Sequence, residues 1–144
     1  MVDDILVVVN CKMNSSFCGK CCYDTEMILT IDDIMEIMGL GYSIDYFAEL
    51  RDGYVRLRNI NGHCVFLDPE TNKCMIYKWR PVGCRLYPLI YDPWRDEILV
   101  DKLCPRADVL RDKIDTSRYK QLFRRILEKA QEAIDFYKQY KLHC

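Results

Sequence analysis

The 144-residue sequence lacks a long hydrophobic run near its N-terminus. The apolar stretch "ILVVV" at residues 5–9 has only five residues, and two aspartates precede it where a basic leader would stand. A membrane span needs about 20 apolar residues and a signal peptide needs a basic start, so we expect neither. The sequence therefore predicts a cytoplasmic protein that does not enter a membrane.

Several enzyme signatures are also missing. The chain has no H-E-x-x-H, no G-x-S-x-G, no P-loop and no dinucleotide fingerprint. Histidine is scarce, with His63 beside Cys64 and His143 near the end. His63 is a ligand, a hydrogen-bond donor to a ligand, or simply a turn residue. The sequence leaves open whether the protein is an enzyme.

Neither sign of charge is in excess, since the net charge is -1, but the acidic and basic residues are unevenly distributed along the chain. Residues 1–50 carry two basic and nine acidic side chains, whereas residues 111–144 carry nine basic and five acidic ones. The acidic part repels nucleic acid and the basic part attracts it, so charge alone identifies no partner.

No low-complexity linker or internal repeat divides the chain, which predicts a single α+β domain over residues 1–144. "ILVVV" is typical of a buried strand. Thr30 stands three residues before Asp33, and Gly39 is suited to end a helix, so we expect a helix at about 31–38. Ser43 is placed to cap a second short helix, "IDYFAEL".

Downstream, alternation in "YVRLR" predicts a strand with one exposed face, and "CVFLDPETNKCMIY" predicts a hairpin about a turn at 68–73. Three prolines make "KWRPVGCRLYPLIYDPW" an expected irregular loop, and "EILV" is expected to be a short strand. From residue 117 to about 141, apolar residues recur every three or four positions. This pattern predicts a long amphipathic helix whose basic face is either solvated or a docking surface for an anionic partner.

Cysteine is the residue that the sequence has in abundance, with nine copies. In a reducing compartment a cysteine cluster is more often metal-binding or catalytic than disulfide-bonded. Eight of the nine fall into two groups of four, the number of thiolates that tetrahedral zinc or a cubane iron-sulfur cluster takes. The predicted metal ligands are Cys11, Cys18, Cys21 and Cys22 in the first group, and Cys64, Cys74, Cys84 and Cys104 in the second. The ninth, Cys144, is expendable.

The cysteines are closely spaced in the first group and widely spaced in the second. Cys18 and Cys21 form a C-x-x-C pair that can bind one centre from a tight turn. Cys21 and Cys22 are adjacent, so they either serve two centres, or one binds while the other packs or reacts. The second group is spaced by 10, 10 and 20 residues, which is too wide for a zinc ribbon but compatible with cluster ligation from separate loops. Any one of these four can instead be a small buried hydrophobic residue.

The cysteine motifs of the sequence resemble those of a known family. "CGKCC" and the later "CVFLDPETNKCMIYKWRPVGCRLYP" are similar to the YkgJ-like cysteine-cluster family of zinc- or iron-chelating domains, with its C-x-x-C-x-x-C-C signature. The resemblance covers roughly residues 11–104. The second family motif is matched by Cys74, Ile76, Tyr77, Arg80, Pro81, Cys84, Arg85, Tyr87 and Pro88. Cys11 is the least secure ligand, because six residues separate it from Cys18 where the family has two.

The resemblance implies metal chelation by these cysteines, and related domains accompany protein-modifying methyltransferases thought to need an iron-sulfur cluster. We also expect Arg80 and Arg85 to act at the cofactor, offsetting the charge of several thiolates or holding an anionic substrate. An ion pair with the acidic N-terminal half is the alternative for both arginines. Tyr77, Trp79 and Tyr87 are expected to cover the sulfur site.

The sequence supports three hypotheses in which the cysteines act as thiols, beside a fourth in which disulfide bonds staple a protein without metal. The first is a small metalloprotein, with a 4Fe-4S cluster preferred over zinc, that serves as a redox or accessory protein to a modification enzyme. The second is a zinc-stabilised module whose basic C-terminal helix binds RNA, a ribosome or another protein. The third is a thiol enzyme whose nucleophile is Cys21 or Cys22, although no histidine is obviously placed to activate it.

Overall fold

The computed structural model describes residues 12–13, 16–17, 22–87, 89–92, 94–100 and 117–142. Its architecture is α+β, with short antiparallel hairpins, short helices and a long C-terminal helix, as predicted. The first hairpin pairs β1 (Lys12–Met13) with β2 (Ser16–Phe17). The strand predicted at residues 5–9 lies outside the described residues.

Helix α1 (Ile31–Gly39) confirms the prediction for this segment almost to the residue. Thr30 Oγ1 accepts a hydrogen bond from the Asp33 N–H, while Asp33 Oδ2 accepts one from the Thr30 N–H, so the two residues form a complete capping box. Ile34 and Ile37 are fully buried on the inner face. The local sequence therefore determines both where this helix begins and which side faces the core.

The segment after Ser43 is only half as helical as expected. Helix α2 (Ile44–Phe47) ends after four residues, and strand β3 (Ala48–Arg51) begins at once. Strand β3 pairs with β4 (Tyr54–Leu57), which confirms the predicted "YVRLR" strand. Asp52 and Gly53 both adopt positive φ, the backbone of a tight hairpin turn, and this pairing outcompetes the second turn of helix.

Two smaller hairpins carry cysteines. Strands β5 (Asn59–Ile60) and β6 (His63–Cys64) are joined by Asn61-Gly62, and strands β7 (Leu67–Asp68) and β8 (Lys73–Cys74) by the predicted turn. The prediction of a hairpin about residues 68–73 is confirmed. Cys64, however, belongs to the preceding hairpin rather than to this one.

The proline-rich segment is more regular than a loop. It contains a 3-10 turn (Tyr77–Trp79) and a one-turn helix α3 (Val82–Leu86), where we expected irregular structure. Pro81 stands immediately before α3, a position at which proline pre-sets the backbone and removes no helical hydrogen bond. Strand β9 (Leu89–Asp92) then pairs with β10 (Glu97–Val100), the predicted "EILV" strand.

Helix α4 (Ser117–Leu142) is the long amphipathic helix predicted at 117–141. Its buried Ala133 and Ile134 join a core with α1 and β4, and its buried Phe123 joins a second cluster. That second cluster contains Val82, Leu86 and Leu89. Helix α4 therefore connects the main core with the α3–β9 segment. Among the described residues, no helix is long and apolar enough to cross a membrane.

Three basic side chains of α4 form ion pairs with acidic side chains of the same chain. Arg124 pairs with Asp96 on the β9–β10 turn, Lys129 with Asp32 of α1, and Lys141 with Asp45 of α2. Two of these acids lie within residues 1–50. The opposite charges of the two ends thus meet within the molecule.

Candidate metal centre

Four of the eight predicted ligands line one small cavity of about 40 Å³, which we call the thiol cavity. Its cysteines are Cys22, Cys64, Cys74 and Cys84. Each comes from a different local element, and Cys64 is the most buried at 5% exposure. The remaining predicted ligands, Cys11, Cys18, Cys21 and Cys104, lie outside the described residues, as does Cys144. The structure thus joins the last cysteine of the first group with three of the second.

Asn59 holds Cys22 near Cys64. It is the register partner of Cys64 in the β5–β6 hairpin. Its side-chain Oδ1 accepts from the Thr25 N–H at 2.9 Å, and its Nδ2 donates to the Thr25 carbonyl at 3.0 Å. An amide side chain can bond both the N–H and the carbonyl of a peptide. The Asn59 side chain therefore makes with Thr25 the two hydrogen bonds that a neighbouring strand would otherwise make, just after Cys22.

The turn before Cys74 is fixed by its own polar side chains. Asp68 Oδ1 accepts from the Glu70 N–H at 3.0 Å, and the Asn72 N–H donates to the Asp68 carbonyl at 2.7 Å. Asn72 has φ of 58°, which asparagine tolerates well, and its Oδ1 accepts from the Tyr23 hydroxyl at 3.1 Å. This bond ties the β7–β8 turn to the residue next to Cys22.

Cys84 lies in the middle of α3, and the start of α3 is bound to α1. Asp33 Oδ1 accepts a hydrogen bond from the Val82 N–H at 3.0 Å. Since the first N–H groups of a helix have no partner within it, this buried carboxylate caps α3 from outside. Asp33 thereby caps two helices, and it positions Cys84 through the second of them.

Burial raises the pKa of Asp33 above the ordinary 3.8. Desolvation is the largest cause, and hydrogen bonds from Thr30 and Val82 together with the charge of Arg85 work in the opposite direction. Arg85 therefore acts on an acid of the N-terminal half. The role of Arg85, at the cofactor or in an ion pair with the N-terminal half, stays a prediction.

Arg80 is the buried cation of the thiol cavity, with 7% exposure. Its guanidinium carbon lies 3.9 Å from the centre of the Tyr77 ring, and its Nε donates to the Tyr77 carbonyl at 3.0 Å. Tyr77 also lines the cavity, whereas Trp79 is 43% exposed. A planar guanidinium stacked on an aromatic ring is held in one orientation, so a fixed positive charge borders the thiols.

His63 lies at the edge of this arrangement. Its Nδ1 is 2.8 Å from the Cys64 carbonyl oxygen, and its ring meets that of Tyr23 edge-on at 6.1 Å between centroids. A carbonyl oxygen only accepts, so Nδ1 carries a proton in this contact. His63 is absent from the described lining of the thiol cavity.

The arrangement is a set of thiols around a cavity, without a ready-made site for one ion. Within the described ranges, no three Cys, His, Asp or Glu side chains converge as ligands of a single metal. The cavity supplies a soft donor set with a cation beside it. Thiolates of this kind select zinc or iron-sulfur clusters over hard cations such as Mg²⁺.

Sequence reasoning missed Asn59, Asn72 and the contact of Asp33 with Val82. A local signal existed for the first, because Asn61-Gly62 is a strong hairpin dipeptide and predicts the pairing that sets Asn59 opposite Cys64. The other two contacts join residues 49 positions apart in the chain. No local pattern reports such a contact.

The family model CxxCxxCC, described as "putative zinc- or iron-chelating domain", matches residues 10–105, two thirds of the chain. The chain belongs to this family. The matched range includes every predicted ligand from Cys11 to Cys104, and it confirms the resemblance drawn from the motifs. The protein is accordingly a zinc- or iron-chelating CxxCxxCC domain.

An uncharacterized protein of the archaeon Methanocaldococcus jannaschii is similar to this CxxCxxCC protein. The two are 38% identical over 96 residues, an alignment that covers 54% of this chain and 50% of the relative. The chain thus spans about half the length of that relative. No solved structure matches the chain.

Proposed function

We propose that the thiol cavity is part of an iron-sulfur centre, preferably 4Fe-4S, in a redox or accessory protein that serves a modification enzyme. The observation that carries the proposal is the meeting of Cys22, Cys64, Cys74 and Cys84 at one cavity. We include Cys11, Cys18, Cys21 and Cys104 as further ligands from the sequence alone. When bound, such a cluster supplies one-electron transfer.

The origin of the four described cavity thiols is compatible with a cluster. Structural zinc sites usually draw two ligands from a single C-x2-4-C turn, which places those sulfurs on one ion. Here the four cavity cysteines come from four separate segments, none closer in sequence than 10 residues to the next. In a cubane cluster each thiolate binds its own iron, so ligands that arrive separately around a cavity suit it.

The buried position of Arg80 is evidence for a negatively charged metal centre in the thiol cavity. Several thiolates in one cavity carry more negative charge than the metal removes, and an uncompensated buried charge is costly. The guanidinium of Arg80, buried and stacked on Tyr77, lies in the wall of the same cavity. We propose that it offsets this charge, and that Arg85 contributes through the Asp33 network.

The zinc-stabilised binding module is less well supported. Its expected docking surface is the basic face of α4, but Arg124, Lys129 and Lys141 of that helix pair with acids of the same chain. Binding of RNA through these residues would first have to break those pairs. The thiol-enzyme hypothesis requires a base near the nucleophile, and His63, the histidine among the described residues, is not part of the described lining of the thiol cavity.

The decisive experiment is anaerobic purification followed by iron, sulfide and zinc analysis and an absorption spectrum. We expect iron and acid-labile sulfide in similar amounts, with broad absorption near about 400 nm. Stoichiometric zinc without sulfide in a colourless protein contradicts the cluster. The reducing cytoplasm that we propose as the protein's location would keep the thiols available for either metal.

Ligand assignment is tested by single serine substitutions. Cys74→Ser and Cys84→Ser should each lower the bound metal and bleach the spectrum, while Cys144→Ser should leave both unchanged. A protein that keeps its full metal content after Cys74→Ser and after Cys84→Ser refutes the role of the cavity. Equal losses in all three variants would indicate a general effect of thiol removal instead.

A further inference from the structure

A second opening in the molecule lies beside the thiol cavity and is about eight times larger. This side cleft has a volume of about 330 Å³. It is bounded by the 23–28 segment, by the stretch from α3 to β9, and by one side of helix α4. The described residues of its lining that matter below are Tyr23, Asp24, Glu26, Met27 and Tyr91.

The size and lining of the side cleft are those of a small-molecule site. Cavities that bind organic ligands run from roughly 300 to 1,000 Å³ and are mostly apolar, with a few polar groups that set orientation. Here aliphatic residues from α4 and β9 line the cleft together with four aromatic rings. The thiol cavity, at about 40 Å³, has no room for such a molecule.

The charged side chains that line the side cleft are acidic, although Arg51 and Arg56 donate hydrogen bonds to backbone carbonyls of the 23–28 segment. Asp24 and Glu26 are the two charged residues in its described lining, and both are acidic. Asp24 is exposed, and the Glu26 side chain is 74% exposed with its Oε2 3.7 Å from Arg56 Nη1. Rings such as those of Tyr23 and Tyr91 also attract cations over their faces. A ligand with an apolar body and a positive end matches both features.

We propose that the side cleft binds a small organic amine, with its aromatic or aliphatic body against α4 and its ammonium group near Asp24. The side chain of Met27 lies between the side cleft and the thiol cavity, since it lines both of them. A bound amine therefore lies one side chain away from the thiols. The binding itself does not depend on which metal the thiols hold.

The test uses four small compounds that separate charge from apolar body. Saturation-transfer NMR on the purified 144-residue chain with its native metal would compare phenethylamine with 2-phenylethanol, 3-phenylpropionate and methylamine. We expect phenethylamine to bind about fivefold more tightly than the neutral alcohol, as a partly exposed ion pair allows. The carboxylate and methylamine should bind more weakly still, since one has the wrong charge and the other no body.

Asp24→Asn provides the matched variant. Asp24 has φ of 47°, a conformation that asparagine also tolerates, so the substitution removes charge without straining the turn. The preference for amine over alcohol should fall in Asp24→Asn and persist in Asp52→Asn. Asp52 has φ of 52° and is the same change in the β3–β4 turn, outside the described lining of the cleft.

Two outcomes overturn the inference. One is equal binding of amine, alcohol and carboxylate; the other is an amine preference that Asp24→Asn leaves intact. Metal content is measured on the same samples. A protein that keeps its metal but shows no amine preference contradicts this inference alone, whereas a protein without metal contradicts the proposed function alone.

Discussion

The carboxylate of Asp33 in helix α1 accepts a hydrogen bond from the backbone N–H of Val82 in helix α3, at 3.0 Å. Asp33 is 5% exposed, and its other oxygen is bound by the Thr30 N–H. A residue that caps its own helix therefore also caps the helix of Cys84. This makes Asp33 a positioning residue for the candidate metal centre.

Replacing Asp33 by alanine should destabilise the protein and loosen its metal. Asp33→Ala leaves the buried N–H groups of Thr30 and Val82 without their acceptor, at about 1–3 kcal/mol for each such group. Urea unfolding at pH 7 and metal retention against a chelator would measure both effects. Asp32→Ala is the control, since Asp32 is 63% exposed and its pair with Lys129 is worth under about 1 kcal/mol. Equal effects of the two substitutions would contradict this role.

The raised pKa of Asp33 predicts a pH dependence of stability. The folded protein holds the Asp33 proton more tightly than the unfolded chain, whose carboxyl has the ordinary pKa of 3.8. The free energy of unfolding should therefore fall as the pH rises from 3.8 through the raised pKa, relative to Asp33→Asn, which cannot titrate there. Urea unfolding of both proteins at a series of pH values measures the difference. A difference that is constant or that grows with pH is the contrary result.

Asn59 should be needed for the approach of Cys22 to Cys64. Asn59→Asp keeps the size of the side chain but loses the N–H donor and sets a carboxylate oxygen beside the Thr25 carbonyl. We expect a loss of about 1–3 kcal/mol in the free energy of unfolding and faster loss of metal. Asn61→Asp, the same change two residues away on an exposed turn position with φ of 52°, should be nearly neutral. Metal retention that is unaffected by Asn59→Asp would argue against this role of Asn59.

Gly83 and Met27 should be energetically coupled. A Cβ atom at position 83 would overlap Met27 Sδ, so Gly83→Ala forces the methionine aside at about 1–3 kcal/mol. Met27→Ala removes Sδ, Cε and Cγ, the three atoms nearest to the new Cβ. In a double-mutant cycle, the cost of Gly83→Ala should therefore shrink in the Met27→Ala background. Additive losses would show that the cost of alanine at position 83 arises elsewhere.

Arg80→Lys should weaken the candidate centre although the charge is kept. Lysine has no planar group to stack on Tyr77 and no Nε–H at the same place for the Tyr77 carbonyl. We expect faster metal release and a stability loss of about 1–2 kcal/mol. Arg95→Lys, at a side chain that is 76% exposed, should change neither. Indistinguishable metal release from the two variants would remove Arg80 from the site.

Features of this fold that depend on residues close together in the chain could be predicted from the sequence, and features that depend on distant residues could not. The cap of α1 by Thr30 and Asp33, and the stripe of α4, could be predicted because their determinants lie within one or a few helical turns. The end of α2 could not, since "FAEL" has helical residues and strand β3 forms only by pairing with β4. There the tertiary partner overrides the local preference.

The candidate site shows the same division. The family motifs indicate which cysteines matter, because ligand chemistry is written in residue type and spacing. Which cysteines share one cavity could not be predicted from the motifs. Cys22 lies beside Cys64, Cys74 and Cys84. These positions depend on contacts of Asn59, Asn72 and Asp33 with residues far away in the chain. The side cleft is likewise formed by three distant segments, so no local pattern in the sequence predicts it.

The hairpins that carry Cys64 and Cys74 have ladders of only two residue pairs each. Such short ladders are weak alone. A metal centre bound by Cys22, Cys64, Cys74 and Cys84 would close chain loops of 42, 10 and 10 residues, the differences between successive positions. Closing them lowers the entropy of the unfolded chain, as a covalent cross-link does, so metal binding adds to the free energy of folding. The supply of metal then sets how long this part of the protein survives a protease.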